Sequence, residues 1–268
     1  MRQNRRIMTK ICNMIWSYIG RKFPIGKIRK SIEVMSAKCY TEIRKYGITE
    51  FRISIIPYLR KYGNVYLHTA YKKGDCFMGT YNTKTILITN QKGGVGKTFI
   101  ADELCFMCEE AALPYTFRDM DGQGGCIHEP KEEKDPALII IDTPGALTEG
   151  LQEAIRDADL IIIPTLMTTA CIPALETMLE IVKPWKMMGK DVLVVLNQWN
   201  RYTACADFEE WFFNNYPREK TITLSDSEVI RQATSFGISV TQHKKHSKSA
   251  VEMRVFREVI MDMLYEKR

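Results

Sequence analysis

The 268-residue chain has no run of 18 consecutive apolar residues, so its sequence offers no candidate for a membrane-spanning helix. Glycine (16) and proline (10) are sparse, and 45% of residues are apolar, 26% charged and 10% aromatic. Collagen-like, low-complexity and wholly disordered readings therefore fall away. A disulfide framework is missing too. The eight cysteines, at 12, 39, 76, 105, 108, 126, 171 and 205, are thinly spread in a chain long enough to build its own core. That pattern predicts free thiols in a reducing cytosol. Cys105 and Cys108 have redox or zinc spacing, but no second Cys or His pair follows at a useful distance. They fall inside a predicted helix, where core packing is the expected use.

Acidic residues are the scarcest feature of the first third. Residues 1–83 carry 17 Lys and Arg against 4 Asp and Glu, whereas residues 84–268 carry 21 against 28. A segment of net +13 is thus joined to a body of net −7, hidden beneath an overall charge of +6. Such a segment suits a polyanionic partner, and a solvated basic helical surface accounts for it equally well. The start, Arg2, Arg5, Arg6 and Lys10 followed by residues 11–19, imitates a secretory signal. Asn13 and Ser17 interrupt the apolar run, however, and Arg21-Lys22 follow with no small-residue cleavage site. The spacing predicts a basic amphipathic helix, with Ile7, Ile11, Met14, Ile15 and Tyr18 on the face that packs against the rest of the domain.

Residues 25–46 and 49–61 read as helices separated by Gly47, and 65–71 and 76–81 as strands joined by Lys72-Lys73-Gly74-Asp75. Helix, helix and hairpin with excess positive charge form the outline of a winged helix-turn-helix. A structural or partner-docking role for 1–83 stays open beside DNA binding. After Thr83 the texture changes. Compact aliphatic runs at 85–89, 137–142, 160–163 and 192–196 suit strands buried on both faces of a parallel sheet. Helical periods occupy 97–112, 148–157, 172–188, 208–214 and 250–264. The expectation is a small, basic, mainly helical segment over 1–83, then an α/β domain over 84–268. That domain would be doubly wound, with a mostly parallel sheet and helices on both faces.

The most specific stretch is Asn90-Gln91-Lys92-Gly93-Gly94-Val95-Gly96-Lys97-Thr98, between a predicted strand and a predicted helix. A phosphate-binding loop requires that context. Glycines let backbone N–H groups converge on phosphate oxygens, and the helix N-terminus adds positive potential. Lys97 would pair with the β- and γ-phosphates, and Thr98 would offer its hydroxyl to Mg²⁺. The domain is accordingly expected to be a P-loop NTPase binding ATP and Mg²⁺ through 93–99, Phe99 lying in the first helical turn.

Gln91 occupies the usual first-glycine position, and a second lysine, Lys92, stands beside it. This loop resembles that of the deviant Walker A ATPases, the ParA/MinD family, closest to the ParA partition branch. Further landmarks follow in order. Asp119-Met120-Asp121-Gly122-Gln123-Gly124 is similar to the family's first switch, with Gly122 where proline is common. Residues 139–145, Ile-Ile-Ile-Asp-Thr-Pro-Gly, are similar to its Walker B strand and second switch. The resemblance covers about 84–264.

It implies that Lys92 reaches the nucleotide of a second subunit, that Asp121 positions the attacking water, and that Asp119 and Asp142 serve Mg²⁺. It also implies that Asn197 contacts adenine. Residues 230–240 and 247–250 resemble the branch's closing segment, making Arg231, Lys244, Lys245 and Lys248 candidates for DNA-backbone contacts. A solvated basic turn remains the alternative there. Only 21 positions separate Asp121 from Asp142, which leaves room for a short turn or single helix and suggests a minimised member.

The implied function is a slow, partner-stimulated ATPase. It would dimerise on ATP, bind DNA non-specifically in that state and act in plasmid or chromosome partitioning with a ParB-like partner, in the cytoplasm and on the nucleoid. The alternatives are an ATP-sensing DNA-binding transcriptional regulator and a conjugative-transfer accessory ATPase. Met78 would allow a start that omits the basic segment. Residues 250–264 have mixed charge and read as a packing helix, so no stable membrane association is expected. Metal-cluster carriers and tyrosine kinases of the superfamily are disfavoured, since their cysteine motifs and tyrosine-rich tail have no match.

Overall fold

The computed structural model describes residues 82–121, 125–145 and 150–265. The helices and hairpin expected within 1–81, and with them the winged helix-turn-helix outline, lie outside the described residues.

Six strands form one sheet: β1 (Lys84–Ile88), β2 (Tyr115–Asp119), β3 (Leu138–Asp142), β4 (Leu160–Leu166), β5 (Asp191–Trp199) and β6 (Thr221–Ser225). Their order is β2-β3-β1-β4-β5-β6, and every pairing is parallel. The crossovers carry α1 (Lys97–Glu110), α2 (Leu151–Asp157), α3 (Ile172–Met187) and α4 (Thr203–Asn215). After β6 come α5 (Glu228–Ser235), a short α6 (Val240–His243) and α7 (Lys248–Tyr265).

The aliphatic runs anticipated for parallel strands are the four central ones. Because alternate side chains leave a strand on opposite faces, each such run feeds two cores at once. Ile86, Ile88, Leu138, Ile140, Ile162 and Val195 pack against Leu104 of α1 and Phe256 and Ile260 of α7. Leu87, Ile141, Ile161, Ile163 and Val194 face the other way, against Ile155 of α2, Leu175 and Met178 of α3 and Phe208 and Phe212 of α4. The doubly wound expectation is met, with helices on both faces. Each large aliphatic or aromatic side chain buried in this way stabilises the fold by roughly 1.5–3 kcal/mol.

Two strands, the helices α5 and α6, and one connection depart from the sequence reading, which assigned no helix between 214 and 250. β2 and β6 close the sheet's two edges. Each pairs on one side only, and their sequences, Tyr-Thr-Phe-Arg-Asp and Thr-Ile-Thr-Leu-Ser, carry polar residues a central strand would exclude. The β2–β3 connection holds no helix in its described part. Instead it runs back along β2, forming an antiparallel bridge between Phe117 and Lys131 that occupies the outward N–H and C=O of Phe117 at the middle of the edge strand. β4 also runs on through Pro164. The Ile162 carbonyl bonds Thr89 N, and the Pro164 carbonyl, on the same side, accepts from Asn90 Nδ2 at 2.7 Å. β1 has ended by that level, so the missing proline N–H costs no ladder bond.

The sheet order places the functional ground. From β1 the chain leaves toward β2 on one side, and from β3 it crosses past β1 to β4 on the other. Where successive connections diverge, a crevice opens beyond the carboxyl ends of the strands. Residues 89–96 follow β1 into that crevice, and 143–145 follow β3.

Candidate nucleotide site

A cleft of about 610 Å³ is lined by Gly93, Gly94, Gly96, Lys97, Thr98, Asp121, Pro144 and Gly145. Three of the sequence landmarks, the phosphate-type loop, the first carboxylate segment and the end of β3, therefore meet at one place.

The loop is held from below by two asparagines. Asn90 is buried; it donates to the Pro164 carbonyl and accepts Lys92 N–H at 3.0 Å, turning the chain away from β1. Asn197, at the end of β5, donates from Nδ2 to the Val95 carbonyl at 2.9 Å and accepts Gln198 N–H at 2.9 Å. Gly96 takes φ +97°, and a Cβ there would come within 2.3 Å of Asn197 Nδ2. Only glycine meets both demands, the left-handed backbone and the close side chain. The second loop abuts the first: a Cβ on Gly145 would lie 3.3 Å from Gly93 N.

Lys97 opens α1 and is buried, its Nζ 3.4 Å from the Lys92 carbonyl. Burial pulls its ammonium below the ordinary value, while the charges of Asp142 and Asp121 oppose that pull. Thr98 donates from Oγ1 to Asp142 Oδ2 at 2.8 Å, tying the first turn of α1 to the end of β3. Asp142 is fully buried. Burial pushes its carboxyl up to about 6, although the Thr98 hydrogen bond and Lys97 favour the charged form. Asp119 ends β2 and accepts Asp121 N–H at 2.8 Å, so its carboxylate fixes the start of the next segment.

This donor set suits a hard divalent cation. The second oxygen of Asp142, Oδ1, is buried with no hydrogen-bond partner, an expensive condition for a carboxylate unless a cation or its water completes it. Asp142, Asp119 and the Thr98 hydroxyl supply oxygen donors, which Mg²⁺ prefers.

The remaining expected residues are distributed as follows. Lys92 is exposed and is not among the cleft-lining residues. Phe99 has its backbone in the first helical turn, but its side chain packs on the core around Ala233, Val240 and Ala250. Asn197 supports the loop; its amide retains one hydrogen and one oxygen lone pair for any base. Arg231 is paired with Asp226 at 2.6 Å and Glu228 at 2.9 Å, and Lys248 with Glu252 at 3.1 Å and the Ser225 hydroxyl. Lys244 donates to Gln232 Oε1, and Lys245 is exposed. Gly122-Gln123-Gly124 lies outside the described residues.

Sequence reasoning did not single out Asn90, Cys126 or the ties that hold α1. Asp102, buried in α1, accepts from the N–H groups of Ile127 and His128 and from His128 Nδ1, anchoring the segment after Asp121 to the helix that starts at Lys97. The neighbouring Glu103 and, two turns on, Glu110 bond Arg257 of α7 at 2.7 Å and 2.8 Å, and Glu103 also accepts Val240 N–H. Two adjacent acidic residues, Asp102 and Glu103, inside the otherwise apolar stretch 99–108 were the available signal.

No protein-family model and no curated protein sequence matches the chain. Among solved structures, it is similar to a variant of McdA from Cyanothece in complex with ATP, at 18% identity and a TM-score of 0.56, over 70% of this chain and 98% of that one. MinD from Pyrococcus horikoshii, a septum site-determining protein complexed with Mg-ADP, gives 17% identity, 0.53, and 66% and 96% coverage. A Borrelia burgdorferi B31 protein assigned to plasmid partition, bound to AMPPNP, gives 15%, 0.54, and 68% and 100%. Each likeness takes in nearly all of the other protein and about two thirds of this one. At these identities it establishes the fold, the P-loop architecture of MinD and McdA, and function has to be argued from the site.

Proposed function

We propose that the chain is a Mg²⁺-dependent ATPase of the ParA/MinD type that dimerises on ATP and serves in partitioning DNA. The observation that carries the reading is the convergence of Lys97, the Thr98–Asp142 pair and Asp121 on one cleft at the carboxyl ends of β1 and β3. The triphosphate would lie across the glycine N–H groups at the start of α1. There backbone donors and the helix's positive end favour anionic oxygens, and Lys97 neutralises charge between the β- and γ-phosphates. Asp119, Asp142 and Thr98 would hold Mg²⁺, which supplies further charge neutralisation to phosphoryl transfer.

Asp121 lines the cleft and is suited to orient a water for in-line attack. Its N–H bond to Asp119 couples that position to the cation-holding carboxylates. Catalysis of this kind is positioning and electrostatics, so an incomplete site turns over slowly until a partner completes it. Lys92, exposed beside the cleft, is suited to reach the nucleotide of a second copy, which makes ATP binding and dimerisation a single event. The similarity in fold to MinD, McdA and the Borrelia protein supports the class of process.

Non-specific DNA binding is part of this reading, through Lys244 and Lys245 and the basic segment 1–83. Arg231 and Lys248 would first have to leave their carboxylate partners.

The test separates the two lysines. Lys97→Ala should abolish ATP binding by the monomer, read by fluorescence of a labelled nucleotide. Lys92→Ala should retain that binding yet form no ATP-dependent dimer in sedimentation velocity. Unchanged dimers in Lys92→Ala would defeat the assignment of Lys92, and undiminished ATP binding in Lys97→Ala would defeat the site.

A further inference from the structure

The thiol of Cys126 lies beside the carboxylates of Asp119 and Asp142, and neither the sequence pattern nor the proposed reaction uses it. Cys126 Sγ is 3.5 Å from Asp119 Oδ2 and 3.9 Å from Asp142 Oδ2, and one donor atom from each of the three residues falls within 4.8 Å of the others. The donors come from three elements, the ends of β2 and β3 and the segment that returns along β2. Asp102 pins that segment to α1 through Ile127 and His128, directly after the cysteine. Cys126 is half-buried, and its approach to the carboxylates is thus a held feature rather than a surface accident.

The thiol hydrogen-bonds Asp119 Oδ2, and the same spacing also fits a shared metal ion. Zinc–sulfur and zinc–oxygen bonds of about 2.3 and 2.0 Å place neighbouring sulfur and oxygen ligands about 3.5 Å apart in tetrahedral geometry. The observed separations are already close to that. Asp142 beside the thiol is fully buried and its Oδ1 has no hydrogen-bond partner, so this carboxylate has an oxygen to give to whichever cation the three residues hold. Burial, joined by the charges of Asp119 and Asp142, pushes the Cys126 thiol up. A cation reverses that balance, because it neutralises the carboxylates and binds the thiolate directly.

We propose that Cys126, Asp119 and Asp142 form a three-donor site for a thiophilic divalent cation of the Zn²⁺ or Cd²⁺ type. The fourth position is left to water or a phosphate oxygen. Mg²⁺ takes oxygen donors in octahedral geometry and gains little from the sulfur, whereas Zn²⁺ and Cd²⁺ prefer it. The binding step exchanges the thiol proton for the metal–sulfur bond and releases that proton to solvent. Resting on the ATPase reading, one consequence is that such a cation draws Asp119 and Asp142 away from Mg²⁺ and inhibits turnover.

The test is a Cd²⁺ titration of the full chain without nucleotide, followed by the ultraviolet charge-transfer band of the cadmium–thiolate bond. Cys126→Ser and Asp119→Asn should each weaken the tightest site at least about tenfold, since even ligand-supporting residues change metal affinity by about 10–100-fold. A titration unchanged in either variant, or no binding by the unaltered chain, overturns the proposal. A second measurement needs no variant: Cd²⁺ should slow alkylation of Cys126, read by peptide mass spectrometry, about tenfold or more, and an unchanged rate overturns the proposal. Labelled-nucleotide binding in the same samples reports on the ATPase reading alone, so a chain that takes Cd²⁺ at Cys126 but no nucleotide keeps this site and loses that reading.

Discussion

At Gly96, a single hydrogen in place of a methyl group decides whether the loop can form. Gly96→Ala meets both the strain of a left-handed φ, about 1–3 kcal/mol, and a collision with Asn197 Nδ2. The expected outcome is loss of nucleotide binding with a lowered Tm. Because Asn197→Ala also gives up the bonds to Val95 and Gln198, the comparison is a double-mutant cycle: Gly96→Ala should lower the Tm less in the Asn197→Ala background than in the unaltered chain. An equal loss in both backgrounds would show that the close approach is unimportant.

The glycine-and-lysine pattern of the loop was plain from residues 90–98, because a phosphate loop is a local structure written in consecutive positions. The support beneath it was not. Asn197 lies 102 positions from the carbonyl it holds, and nothing in its neighbourhood distinguishes a base contact from a buried strut.

Between elements, buried Glu103, Ser239, Thr241 and Arg257, with the exposed Glu110 at their rim, clasp α1 to the α6–α7 corner. Arg257→Met would leave Glu103 buried and uncompensated, which typically costs about 3–5 kcal/mol. A denaturant titration should show that loss, and Arg257→Met with Glu103→Leu should regain much of it. Equal stability of the single and double variants would mean that the charge of Glu103 is not what matters.

His128 makes a second tie to α1. Burial opposes its protonation, but the hydrogen bond and charge of Asp102, with Glu109 adding to them, hold its pKa above the ordinary 6.5. A raised folded pKa contributes stability that is complete below the ordinary value and fades as the pH climbs through the raised one. The Tm of the unaltered chain should therefore fall across that window relative to His128→Gln, and parallel profiles would count against the tie.

Strand and helix legibility divided along the same line. β1, β3, β4 and β5 announce themselves because a strand buried on both faces must be aliphatic throughout. β2 and β6 sit at the edges, where polar residues are tolerated, and so pass for loop. The β2–β3 connection was expected to hold a turn or a helix. Its described part is a strand-hugging loop because the Phe117–Lys131 bridge and Asp102 satisfy its backbone.

For the whole molecule, the uneven charge bears on binding to polyanions. If the basic first third and the exposed lysines 244 and 245 contact DNA phosphates, affinity should drop steeply with salt. The slope of log K against log salt should be close to −0.9 per phosphate contacted. Gel-shift or anisotropy titrations at several salt concentrations should show that slope without sequence preference, and it should shrink when residues 1–77 are removed. A footprint confined to one sequence and lost with that segment would favour the transcriptional regulator instead.

Sequence alone determined the ingredients with short-range signatures: an alternating α/β body, four core strands, a phosphate loop between strand and helix, and three aspartates in order. Period and motif are properties of neighbouring positions, so they survive without a fold. What each ingredient meets was decided by tertiary structure. Thr98 finds Asp142 across 44 positions, Arg257 finds Glu103 across 154, and Cys126 comes to rest between two aspartates. The first and last exist because sheet order brings the carboxyl ends of β1, β2 and β3 together, the second because α1 and α7 pack on one face of the sheet, and no local pattern in the chain encodes either meeting.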